Sequence, residues 1–435
     1  MRRYFAFEEH HTGYRQEIVA GITTFVAMAY IIVVNPAILA AAGIPVGPSM
    51  TATVLAAVFG TVMLGLWANR PFAIAPYMGE NAFIAYTVVK VMGFSWQVAL
   101  GAIFLAGLLF TVLTVLRLRA WMVNARPLAM KCSFSVGIGL FLAFIGLNET
   151  GIVMLGVPGA PVHLGDLARP EALLAVAGFF CTVWLMIRKV PGAIVIGLFL
   201  TMALSVLCGI TALPSRIFSL PPDPTPLLGH LDIAGALSLK ALPVVLIVFV
   251  MVFVDTVGTL IGLSSRAGLL DARGNLPGIE RPMLADAVSN LVAPLLGTTT
   301  SGVYIESAAG IEAGGRTGLT ALVTAALFLL ALFLTPVLTV VPPHVYGIAL
   351  FLVGGMMIAP VAKLEFDDLT EALPAFLTIS LTVFTYNIGV GITAGLLSYP
   401  VLKVLAGRGR EVVAPMWALA AMSLMFFLVY PYSHA

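Results

Sequence analysis

Two carboxylates stand where the surrounding residues offer them no water, and both sit at a change of backbone type. Glu306 opens Tyr304-Ile305-Glu306-Ser307-Ala308-Ala309-Gly310, directly after Thr298-Thr299-Thr300-Ser301-Gly302-Val303. Threonine, serine, glycine and Val303 favour extended backbone, whereas the residues that follow are small and helix-tolerant. An extended stretch running into a half-helix leaves unpaired N–H groups at the join. In a membrane such a join is tolerated only where it is buried in protein or lines a wet cavity. Glu80 occupies a similar place in Pro76-Tyr77-Met78-Gly79-Glu80-Asn81-Ala82-Phe83. Pro76 removes a backbone donor and disfavours helix at Ala75, and Gly79 loosens the chain just before the acid. Glu80-Asn81-Ala82 matches Glu306-Ser307-Ala308, 226 positions later. If the two half-helices meet, their N-terminal N–H groups converge on one pocket.

A third acid, Asp255, lies in Val252-Phe253-Val254-Asp255-Thr256-Val257-Gly258-Thr259-Leu260, mid-segment in an apolar run. A charge at the centre of a span costs roughly 2.5–3.5 kcal/mol on insertion scales, so this side chain must face protein or water. Thr259 is four residues on and shares its helical face. Each residue also has a structural reading. Glu306 could cap its own half-helix, Asp255 could be tied to a threonine or a backbone group, and Asn81 could be a cap. Thr259, Tyr304 and Phe83 could simply pack. Glu312 with Arg316, and Asp286 with Arg281, read as ion pairs at the cytoplasmic end. Asp367, Asp368 and Glu371 read as a solvated loop opening the next helix.

The elements that must position these groups are membrane spans. Of 435 residues 60% are hydrophobic and 10% charged, with a mean hydropathy of +1.06. A soluble domain carries about 25% charged residues. Apolar runs recur from Glu17 to Tyr430, most long enough to cross about 30 Å of hydrocarbon. We count fourteen, in two sets of seven separated by the proline-rich Leu213–Leu228 stretch; residues 71–91, 242–262 and 299–312 are the third, eighth and tenth. Seven spans per half place the halves in opposite orientation, as inverted repeats require. Arg2, Arg3 and Arg15 set the N-terminus inside. The clusters Arg117, Arg119, Arg126; Arg188, Lys189; Arg266, Arg273, Arg281; and Lys403, Arg408, Arg410 all fall on that side. Met1–Glu17 is polar, so no cleavable signal is expected. Residues 412–430 fit a fifteenth span, an interfacial helix, or a sign that 372–405 is not two full spans. Cys132, Cys181 and Cys208 read as free, buried thiols. The six histidines show no metal spacing, and no Walker or dinucleotide glycine motif is present, so neither a metal nor ATP is implied.

MGENAF (78–83), FVDTVGTLIG (253–262), LLGTTTSGVYIESAAG (295–310) and GGRTGLTA (314–321) resemble the nucleobase–ascorbate transporter (nucleobase:cation symporter-2) family, and within it the adenine–guanine–hypoxanthine permease branch. The likeness begins at EIVAGITTFVAMAYIIVVNPAIL (17–39) and runs to about Gly407. It implies an all-α polytopic fold of fourteen segments as two inverted sevens, with short strand-like stretches in segments 3 and 10. The implied core domain is 1–128 and 242–341, the gate domain 129–212 and 342–410, with 213–241 an extracellular linker and 411–435 a tail of open topology. The resemblance further implies a multi-pass protein of the bacterial inner membrane that is no enzyme. It needs no cofactor beyond a proton gradient, and its partners are a purine base, protons and the bilayer. A homodimer is compatible with the sequence, and nucleic acid is not implied. Carried over residue by residue, Asp255 matches the eighth-segment acid that hydrogen-bonds the base, Glu306 the tenth-segment acid, and Asn81 a third-segment asparagine. The chain departs from the pattern at Glu80, where this branch usually has leucine, and at Val252, where many relatives carry an acid. The stacking aromatic is unassigned: where the uracil-permease branch has phenylalanine, the alignment puts Ala82, with Phe83 next to it.

A neutral purine offers ring N–H donors to carboxylates and ring nitrogens to backbone N–H groups, all in one plane. The candidate base-binding set is therefore Asp255, Glu306, Asn81, Glu80, Thr259, Tyr304, Phe83 and Ser307, with Asp255 or Glu306 carrying the proton. Two alternatives compete with proton-coupled purine import by movement of core against gate. An anion exchanger of the sulfate-transporter class would place positive charge at the site, and is expected to carry a cytoplasmic C-terminal domain, whereas this chain ends at Ala435. An intramembrane aspartyl protease needs a second aspartate in a context like that of Asp255.

Overall fold

The computed structural model describes residues 2–116, 128–157, 160–214, 216–269 and 276–429. Arg117, Arg119, Arg126 and Arg273, which contribute to the charge pattern, lie outside the described residues, as does Tyr430. Eight helices among the described residues are long and apolar enough to cross a membrane, the longest running Tyr14–Ala40 over 27 residues. Ala193–Leu207, Leu369–Phe384 and Met416–Leu428 are apolar but shorter. Phe180, Trp184, Ile187, Phe384 and Leu405 are left exposed, an outward apolar face that suits lipid rather than water.

The third and tenth segments are the exceptions to this helical pattern. Ile74–Pro76 and Ser301–Val303 are strands, and they pair antiparallel with Ala75 opposite Gly302. The pairing extends one step each way, through Tyr77 N–H to Thr300 O (3.0 Å) and Tyr304 N–H to Ala73 O (2.9 Å). Helix resumes beyond each strand, as Met78–Ala82 passing into a wider π-helical Phe83–Val91, and as Ser307–Glu312. Both strand-like stretches expected from the sequence therefore exist, and each is the other's partner.

Two side chains close the outer edges of this ribbon. The Asn290 amide donates to Ser301 O (2.6 Å), and its oxygen accepts from Ser301 N–H (3.0 Å). The Thr61 hydroxyl does the same for Ile74, donating to its carbonyl and accepting from its N–H, both at 3.0 Å. A buried backbone group without a partner costs about 1–3 kcal/mol. All six strand residues are buried, so Thr61 and Asn290 take the place of flanking strands.

The long helices pack in two groups around this joint. Helices Val46–Leu66, Trp96–Val115, Glu280–Leu296 and Gly318–Ala331 pack on one another, with Tyr14–Met28 against the last. Helix Leu128–Glu149 packs on Pro343–Met356 and Leu369–Phe384, and the latter on Ile388–Leu405. Glycines set the closest crossing in the second group: a Cβ on Gly139 would stand 2.6 Å from Gly354 O, and one on Gly146 2.5 Å from Gly347 O. Close backbone approach through small residues is how helices associate where no hydrophobic force separates protein from lipid. The Pro-rich linker lies against the first group, with Pro222 O accepting from Thr51 and Gly229 N–H donating to Leu295 O.

The tail resolves into a helix, Ala414–Val429, whose Met416, Leu419, Ser423 and Phe426 form a buried stripe against helices 388–405 and 242–266. Helices 369–384 and 388–405 are separate elements. Several surface readings change. Glu312 pairs with Arg266 (3.1 Å), not Arg316, because the helix ends at Glu312 and the four-residue spacing lapses. Cys208 is exposed, since its helix ends at Leu207, and Cys181 is half-buried, so of the three cysteines Cys132 alone is buried. Asp368 caps helix 369–384 as expected of a helix-opening loop. Beyond that, the Thr370 hydroxyl and the Arg408 guanidinium hold its carboxyl well below the usual carboxylate range. Lys403, nearly fully buried, bonds Glu371 (2.8 Å) and Glu411 (3.1 Å), so this end of the helix pair is an ion network.

Candidate functional site

The strand pair brings the two acid-bearing turns together against helix Leu242–Arg266, which supplies Asp255. Glu80 is 1% exposed and its carboxyl hydrogen-bonds that of Asp255. The other Glu80 oxygen, Oε1, is buried without a partner. Asp255 and, one turn on, Thr259 are half-buried, which fits a shared face turned toward an opening.

Glu306 is half-buried and does not cap its own helix. Its Oε1 accepts from the Tyr30 hydroxyl at 2.6 Å, a short hydrogen bond. Ile305 beside it is 61% exposed, an uncovered apolar side chain at the rim of the joint. Tyr304 stacks on Tyr77 with ring centroids 6.2 Å apart and planes 12° from parallel. The Tyr304 phenol donates to Pro76 O (2.5 Å) and lies within electrostatic range of both Glu80 and Glu306. One aromatic step thus connects the two acids.

The remaining candidates are committed to the scaffold. Asn81 is fully buried, donating to Asn35 and accepting from the Thr299 hydroxyl, and Asn35 in turn donates to Thr53 (2.7 Å) and Thr298 (3.2 Å). Ser307 accepts from Ala73 N–H (3.0 Å), tying the tenth segment to the third. Phe83 is fully buried and its ring lies against Gly389, where the two helix groups touch.

Asp286 is the acid that sequence reasoning assigned elsewhere. It does not pair with Arg281: it is fully buried, accepts from the Thr256 hydroxyl, and keeps Oδ1 without a partner. A five-residue spacing puts Arg281 on a different helical face, and that signal was available in the sequence. Tyr30, Thr61 and Asn290 were also missed, because a phenol or amide in an apolar run looks like packing until its partner is known. A cavity of about 690 Å³ lies away from Glu80, Asp255 and Glu306, between helices 128–149, 170–187 and 343–356, and is lined by Glu149, His163, Arg169, Glu171 and His344. Among the described residues no cluster of histidine, cysteine and acid side chains could hold a metal.

A permease family model, Xan_ur_permease, matches residues 15–395. The chain is 38% identical to the adenine permease AdeQ of Escherichia coli (strain K12), over 96% of this chain and 95% of that one. It is 39% identical to the guanine/hypoxanthine permease PbuG of Bacillus subtilis (strain 168), over 98% and 99%. Its fold is similar to the transmembrane domain of the cyanobacterial bicarbonate transporter BicA, with a TM-score of 0.67, covering 88% of this chain and 97% of that one at 18% identity.

Proposed function

The chain belongs to the Xan_ur_permease family of permeases, and on that premise we propose that it imports a purine nucleobase, adenine, guanine or hypoxanthine, by proton symport. The observation that carries this reading is the placement of Glu80, Asp255 and Glu306 around the joint of two broken segments inside an apolar chain. The relatives AdeQ and PbuG, named for adenine and for guanine/hypoxanthine, supply the substrate class. Asp255 and Glu306 accept ring N–H donors of the base, and Thr259 extends the Asp255 face. Tyr304 and Tyr77 offer aromatic surface beside it. Asn81, Ser307 and Phe83 hold the two turns and the base-facing wall in place. A site with such committed acceptors rejects analogues that lack the matching donors, because its own polar atoms would go unpaired.

The two packing groups supply the moving parts. Residues 1–128 and 242–341 form the core that carries the base, and 129–212 and 342–410 the gate against which it slides. The fourteen segments form two inverted sevens, with 213–241 as the extracellular linker, the N-terminus cytoplasmic, and the 414–429 helix outside both repeats. A fixed anion site on this fold is disfavoured by three acids at the joint, which would repel an anion. The test is competition of unlabelled adenine, guanine, hypoxanthine, xanthine and uracil against uptake of each labelled purine by cells expressing the chain. One of the first three should displace label at the lowest concentration; displacement by none of the five would refute the substrate class.

A further inference from the structure

Glu80 is the residue whose surroundings the base-carrier reading leaves unexplained. It is 1% exposed, its carboxyl meets another carboxyl, and its Oε1 has no hydrogen-bond partner. An ionised carboxylate only accepts, so two of them in hydrogen-bond contact require one O–H between them. Two negative charges at that separation out of water would repel strongly. A backbone N–H donates to the Glu80 carboxyl, but among the described residues the titratable side chains around the pair are acids and phenols, with no cation among them. Tyr77 faces both acids from the third segment, Tyr304 faces Glu80 from the tenth, and Asp286, with its own unpartnered Oδ1, approaches from helix 280–296. Helices 31–40 and 128–149 meet this turn through Asn35 and Ile138, which do not titrate. Glu306 is different: it meets a phenol, not a second acid, so its contact requires no shared proton.

We propose that Glu80 and Asp255 share a single proton, and that this shared proton is the one carried with the base. The proposal rests on the base-carrier reading and narrows it, moving the coupling ion off Glu306 and giving Glu80 a task of its own. With the proton in place, the Glu80 O–H donates to Asp255 and leaves the second Asp255 oxygen to accept the ring N–H of the base. When the proton leaves to water on the cytoplasmic side, two adjacent carboxylates repel, the Asp255 acceptor is displaced, and the base is released with it. Glu80 is thereby a positioning residue that acts on the base through Asp255.

The test is equilibrium binding of labelled adenine, guanine and hypoxanthine to the purified full chain between about pH 5 and about pH 9. Wild-type affinity should fall about tenfold per pH unit on the alkaline side, the slope of one proton. Glu80→Gln, whose amide donates permanently, should keep binding and lose that slope, whereas Glu306→Gln should retain the slope in whatever binding remains. A wild-type slope in Glu80→Gln would overturn the shared proton. A second measurement needs no variant: at alkaline pH, adding base to weakly buffered wild-type protein should take up about one proton per base bound. Binding without proton uptake overturns the proposal while the base-carrier reading stands. Absence of binding by all three purines at every pH refutes that reading, and the shared proton falls with it.

Discussion

Glu80 and Glu306 occupy matching places, each in the turn that follows one strand of the central ribbon, yet their surroundings differ in kind. Glu306 is half-buried beside the exposed Ile305 and is held at 2.6 Å by a neutral donor, Tyr30. Glu80 is sealed in and meets an acid, with Asp286 behind it. The same local sequence pattern thus yields an acid that meets a phenol on one side of the joint and an acid that meets another acid on the other. An internal echo in a chain therefore specifies where side chains are placed, not what they bond. The partner is decided by which helix each turn meets: the Tyr30 end of the first segment for Glu306, the middle of helix 242–266 for Glu80.

The sharpest way to break this contrast is to neutralise the acids that meet the base. Asp255→Asn and Glu306→Gln should each lower uptake of labelled purine by about a hundredfold or more, with membrane insertion intact on a blot. Near-normal uptake in both would end the assignment. Tyr30→Phe removes the phenol that donates to Glu306 Oε1, a part-buried bond worth up to about 1.5 kcal/mol. Base affinity should weaken about tenfold with its pH slope unchanged, and an altered slope would mean that Glu306 shares in proton carriage. Asn290→Ala strips Ser301 of both partners and should destabilise the purified protein by about 1–3 kcal/mol in a thermal melt. Thr61→Ala, on the Glu80 side of the ribbon, removes one smaller group and should cost about 1 kcal/mol. An unchanged melt in both would show that the ribbon does not depend on its side-chain edges.

Much of this joint was legible in the chain itself. Pro76, Gly79 and the threonine run Thr298–Thr300 marked where helix must fail, and an acid after each break marked where to look. That the breaks would pair as strands was not legible, because nothing local specifies a partner 227 residues away, as Ala75 and Gly302 are. Asp286 was misread for a related reason. Near the start of an apolar run, with Arg281 close in sequence, it resembled a surface acid, and only the packing of helices 242–266 and 280–296 buries it against Thr256. Asn81, carried over from the family's third-segment asparagine, and Ser307 stand in the candidate base-binding set, and their side chains bond Asn35, Thr299 and the Ala73 N–H. Short polar side chains in a membrane bond whatever backbone or amide lies nearest, and sequence spacing does not reveal that neighbour.

The most direct measurement is accumulation of labelled purine in proteoliposomes containing the purified chain, driven by an imposed proton gradient alone. Expected is uptake above the external concentration that collapses when a protonophore is added and is absent when a sodium gradient replaces the proton gradient. Accumulation that persists without the proton gradient, or that a sodium gradient alone sustains, would contradict the carriage of a base with a proton.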